Sequence, residues 1–196
     1  ACNDECDVLA RQLADALSKE STAAPWTPPD YPDVTAALPD GVILIELARF
    51  LRLESAADMY RLEQGGETNM GYMALIVSAE SLRPTVLDLG DAAEIDRLLA
   101  RYQKSMQTAA DPSSELKSLY RALWSPIKPH AEQHKAVVIS PDGPLSFLAW
   151  GMLMNEAGRY LIEDLDVYYV ATGRDLTRPQ KTGGQASAAL FCNPEF

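Results

Sequence analysis

The chain has 196 residues, 47% of them apolar, and a formal net charge of −11. That is enough for one large domain or two small ones. The acidic balance leaves no basic field to displace counterions from nucleic acid or to hold an anionic membrane surface.

No apolar run approaches the ~18 residues of a spanning helix, and no basic stretch followed by an apolar one marks a leader. Three cysteines do not make a disulfide framework, so a reducing cytoplasm is the expected compartment. Cys2 and Cys6 share a helical spacing, but no nearby histidine completes a metal site, and they read as incidental thiols.

Residues 4–21 predict a helix with Asn3 as its cap. Val8, Leu9, Leu13, Ala16 and Leu17 form one apolar face, so this helix either ends an upstream helical region or docks on the domain. Residues 22–39 hold Pro25, Pro28, Pro29, Pro32 and Pro39, which bar a long helix; they predict a linker laid over the surface, pinned by Trp26 and Tyr31.

An α/β domain is expected over 40–185. Strands are predicted at 42–47, 72–78 and 84–89, forming a small antiparallel meander, with Gly65-Gly66-Glu67 as a loop or hairpin tip. Asp91 and Glu94 stand at capping-box spacing before the stripe Ile95, Leu98, Leu99, Tyr102 and Met106. A second helix opens with Asp111 as cap and Pro112 as its first residue. Its stripe is Leu116, Leu119, Tyr120, Leu123 and Trp124, and Pro126 and Pro129 bend or end it.

Residues 136–139, Ala-Val-Val-Ile, predict a buried strand. The turn Pro141-Asp142-Gly143 follows: proline presets φ, aspartate bonds its own backbone, and glycine tolerates positive φ. Leu145, Phe147, Leu148, Trp150, Met152 and Leu153 then predict a second buried element. Further strands are expected at 166–171 and 186–192, separated by a mobile loop at 177–185. Strands alternating with long helices give a mostly parallel sheet.

Candidates for chemistry are few. His130 and His134 lie one helical turn apart, but Glu132 projects to another face, so they read as solvent-facing histidines rather than metal ligands. Cys192 reads as a buried small apolar residue. The serine-hydrolase elbow and both nucleotide loops are missing. Gly65-Gly66 and Gly183-Gly184 lack the lysine or helix start that phosphate binding needs. Arg174 and Asp175 read as a structural ion pair at a sheet's edge. No cofactor or metal is expected.

Taken in order, Leu119-Tyr120, Pro126-Ile127, Pro141-Asp142-Gly143-Pro144-Leu145, 147–153, Tyr160-Leu161-Ile162-Glu163, Gly173-Arg174-Asp175-Leu176 and Asn193-Pro194-Glu195-Phe196 resemble the CHAT domain. That family comprises caspase-like cysteine peptidases, often attached to tetratricopeptide repeats and distantly similar to separase. The likeness runs from Val42 to the end and is strongest from Leu116. Ala149 departs from it, where the family often has proline, and so does Thr172-Gly173, where a serine often precedes the arginine.

The resemblance implies a caspase-like three-layer sandwich with a mostly parallel central sheet, an N-terminal helix and a small antiparallel extension. It implies that 40–185 form a pseudo-caspase unit and that 186–196 open a second, catalytic unit. The family's histidine, in a His-Gly-like turn, and its cysteine, ending a strand, both lie beyond the Asn-Pro element, and no position here matches either motif.

The chain alone is therefore expected to be inactive, with strand 186–192 less firmly held than 136–139. Its implied role is support of the catalytic unit and coupling to upstream helical repeats, with a protein substrate or regulator as further partner. The alternative is a stand-alone α/β scaffold or protein-binding module. Pro141, Asp142 and Gly143 are expected to serve the fold rather than catalysis.

Overall fold

The computed structural model describes residues 28–53 and 69–178. The predictions for helix 4–21, Trp26, the Gly65-Gly66 tip, strand 186–192 and all three cysteines fall outside them.

Strand β1, Val42–Leu51, is apolar enough to be covered on both faces, and it anchors the sheet. On one side it pairs antiparallel with β2, Met70–Ser78, which pairs antiparallel with β3, Thr85–Asp91. On the other side it pairs in parallel with β4, Ala136–Ser140, which pairs in parallel with β5, Asp166–Tyr169. The order is β3-β2-β1-β4-β5. The sheet is thus an α/β mixed sheet, parallel from β1 through β5, with the expected antiparallel extension at the other edge.

The first face carries the larger core. Ile43, Ile45, Tyr72, Ile76, Val137 and Ile139 meet Ile95, Leu99, Leu119 and Trp124 there. The first helix, α2 at Ala92–Gln107, has the predicted stripe, except that Met106 is 53% exposed. Asp91 caps it by accepting the Ala93 and Glu94 N–H groups at 2.7 and 3.1 Å.

Helix α3, Ser113–Leu119, starts one residue later than predicted. Asp111 still accepts the Ser113 N–H at 3.0 Å, but Pro112 stands before the helix rather than inside it. The chain then widens into a π turn, Tyr120–Trp124, closed by Ser125 N–H donating to Tyr120 C=O at 2.9 Å. Pro126 has no N–H to continue a regular ladder. The wide turn delivers Leu123 and Trp124 together to the core. A short helix, α4 at Lys128–Ala131, leads on towards β4.

Among the described residues the second face is thinly covered. Leu44, Val77 and Val138 pack against Val34 and Leu38, with Tyr31 and Leu176 beside them. Val34 belongs to α1, Tyr31–Ala37, where the prolines suggest only a linker. Pro32 lies in the first turn, where a missing N–H costs nothing. Asp30 and Asp33 complete a reciprocal capping box, at 3.2 and 3.0 Å. Tyr31 does pin this segment, its hydroxyl donating to Ser81 C=O at 3.0 Å. Among the described residues no helix is long and apolar enough to cross a membrane.

Candidate functional site

The parallel strands converge on the turn after β4. β1 and β4 stay paired as far as Glu46 and Ser140. Pro141 has no N–H, so β4 cannot extend the ladder. Asp142 replaces the missing rung: its Oδ2 accepts the Arg49 N–H at 2.8 Å. Gly143 has φ +55, the left-handed conformation that the turn's composition predicts.

Two 3₁₀ turns follow, Gly143–Phe147 and Trp150–Met152. They bury Leu145, Leu148, Trp150 and Leu153. Trp150 Nε1–H donates to Leu145 C=O at 3.3 Å. Phe147 is 73% exposed and Met152 39%, so the apolar run is not the continuous buried element expected from its composition. Residues three apart share one face of a 3₁₀ turn, which puts Leu145 with Leu148 and leaves Phe147 outside.

Beside the turn, the Arg49 guanidinium bonds Asp96 at 2.9 Å. It also lies 5.9 Å from the centre of the Tyr72 ring. Tyr72 is fully buried and donates its hydroxyl to Asp96 at 2.8 Å. Burial first, and then the Asp96 hydrogen bond, raise the Tyr72 hydroxyl well above the usual tyrosine range.

The second face has its own pins. Glu46 Oε1 accepts the Gly173 N–H at 2.6 Å. A Cβ on Gly173 would lie 2.5 Å from Leu44 Cδ2. Asp175 accepts the Ala171 and Thr172 N–H groups at 3.2 and 3.1 Å and holds the 3₁₀ turn Gly173–Thr177. Its ion pair is with Arg178, at 3.0 Å, rather than with the neighbouring Arg174. Ser140 Oγ–H donates to Ala171 C=O at 3.1 Å and ties β4 to the same turn.

The histidines stand apart from this constellation. His130 is exposed on α4. His134 is half-buried instead of solvent-facing, its Nδ1 buried without a hydrogen-bond partner beside a cleft lined by Trp124, Lys128, Leu161 and Asp164. Among the described residues no three His, Cys, Asp or Glu side chains cluster to hold a metal ion.

Sequence reasoning missed the Arg49–Asp96–Tyr72 group and the Glu46–Gly173 bond. The available signal was two charged residues, Glu46 and Arg49, inside the apolar strand run VILIELARF.

The mixed sheet with helices on both faces is that of a caspase-like α/β module. The family model of the CHAT domain matches residues 113–196, so this stretch is similar to the CHAT domain. The match begins at Ser113, not at Val42, so it takes in α3, β4, the turn and β5 but not the β1–β3 part of the sheet. A CHAT-domain match suggests a peptidase-related module. No curated protein matches the chain.

Proposed function

We propose that this chain is the non-catalytic N-terminal part of a CHAT-domain cysteine peptidase, a support against which the catalytic unit packs. The observation that carries this reading is the use of the motif residues. Asp142 completes the sheet on Arg49, Gly173 packs on Leu44 and Glu46, and Asp175 holds its own turn. Each is occupied with the fold. Pro141, Asp142 and Gly143 thus act as a structural turn.

An exposed apolar hollow near that turn supports this reading. Phe147 and Met106, 73% and 53% exposed, form an uncharged apolar hollow with Tyr102, Gln103 and Gln107. On a chain of net charge −11 such a patch is suited to a protein surface rather than to a charged ligand.

The test is activity and mass. The chain, incubated with basic-residue and acidic-residue fluorogenic peptides under reducing conditions, should show no turnover; turnover abolished by Cys192→Ala would overturn the reading. The natural protein should have an intact mass well above 21.5 kDa and continue into a His-Gly turn and a strand ending in cysteine. A natural protein of 21.5 kDa would leave the stand-alone scaffold as the correct function.

A further inference from the structure

We propose that the groove on the second face, beside the paired Glu46 and Ser140 of β1 and β4, binds a free amino acid with an apolar side chain, its ammonium on Glu46 and its carboxylate on Arg174. The groove encloses about 290 Å³ and is walled by Val34, Leu44 and Val77, with Tyr31 beside them. An apolar cavity of about 150 Å³ admits benzene, so one apolar side chain and a charged head fit together. Ser140, the partner of Glu46, is the last residue of β4. The chain leaves β4 for the first face, where Leu145 and Leu148 are buried, and leaves β5 for the second, where Leu176 packs. Neighbouring parallel strands thus send their connections to opposite faces, and open α/β sheets hold ligands in the crevice at such a divergence.

Two opposite charges in the groove are unused. Glu46 is half-buried; its Oε1 accepts the Gly173 N–H at 2.6 Å and the Thr172 hydroxyl at 3.4 Å, and its Oε2 has no hydrogen-bond partner among the described residues. Arg174 also lines the groove, is exposed, and makes no ion pair among the described residues. The other charges on this side are engaged: Asp175 pairs with Arg178, Asp88 with Arg52, and the Asp30 carboxylate caps α1. A carboxylate and a guanidinium left open in one apolar-walled groove match the two ends of a zwitterion. A simple anion would meet Glu46 uncompensated, and a simple cation would meet Arg174. Both contacts are charge-assisted hydrogen bonds, and the guanidinium fork suits a carboxylate. A net charge of −11 repels an anionic ligand but not a zwitterion.

Titration of the isotope-labelled full chain with leucine tests the site, read on the Gly173 amide signal, which the bond to Glu46 makes sensitive to the groove. The signal should shift saturably. Isopentylamine, which lacks the carboxylate, and isocaproate, which lacks the ammonium, should each bind about tenfold more weakly, the usual worth of a hydrogen bond to a charged group. Glu46→Gln keeps an acceptor for the Gly173 N–H and removes the open carboxylate oxygen; it should weaken leucine several-fold and leave isocaproate unchanged. Arg174→Gln alters an exposed side chain; it should weaken leucine several-fold and leave isopentylamine unchanged. No saturable shift with leucine, valine or phenylalanine would overturn the proposal, and so would leucine binding that neither variant weakens.

Discussion

A Cβ on Gly173 would lie 2.5 Å from Leu44 Cδ2 and 3.0 Å from the Glu46 carboxylate, whereas one on Gly143 would meet nothing within 4 Å. The first glycine is required by space and the second by its φ of +55. Gly143→Val should cost about 1–3 kcal/mol through backbone strain, and Gly143→Asn, which tolerates that region, much less. At Gly173 even alanine should cost about 1–3 kcal/mol by overpacking, and asparagine should rescue nothing. Denaturant midpoints of the four variants decide it; equal losses for Asn at both sites would show that one cause serves both.

Tyr72 offers a pH test. Its folded-state value lies above the ordinary 10.0, so above that pH the unfolded chain loses a proton that the folded chain keeps. The stabilisation is therefore fully present below pH 10.0 and is lost as pH rises beyond it. Tyr72→Phe should lower the melting temperature at neutral pH, because the Asp96 bond is lost, yet flatten the alkaline decline. An unchanged decline would place its origin at Tyr31 and Tyr102, whose hydroxyls burial also raises.

The turn itself was legible because Pro141, Asp142 and Gly143 act through local backbone chemistry. Their partners were not: Arg49 and Glu46 lie 93 and 127 residues from Asp142 and Gly173, a pairing that only the parallel register creates.

Among elements, α2 was the easiest to read, since its stripe repeats over sixteen residues and Asp91 marks its start. Asp91→Ala should cost about 1 kcal/mol, the usual value of a side-chain cap, seen as a lower urea midpoint with unchanged slope. No shift would mean that α2 is held by tertiary packing alone. α1 escaped notice because prolines in its surroundings outweighed the Asp30–Asp33 box, although Pro32 falls where a helix accepts proline. The exposure of Phe147 escaped for a different reason: composition states how apolar a run is, and only the 3₁₀ period decides which side chains turn inward. The π turn has no sequence signal beyond Pro126, which says that the helix must change but not how.

At the scale of the whole molecule, β1 joins two kinds of pairing. Its contacts with β2, such as Ile45 with Ile76, close a short stretch of chain; its contacts with β4, such as Val42 with Ala136, close one several times longer. Loop-closure entropy rises with length, and slow steps in folding follow long-range pairing. The antiparallel half should therefore organise first, with β4 and β5 adding after the rate-limiting barrier. Ile76→Val and Ile139→Val each remove one buried methylene, worth about 0.5–1.5 kcal/mol. In stopped-flow experiments on Trp124 and Trp150 fluorescence, the first should slow refolding and the second should chiefly hasten unfolding. On a ribosome the same asymmetry becomes a matter of timing: β1 is synthesised long before its parallel neighbour exists, and until β4 emerges its far edge stands open to any other nascent strand.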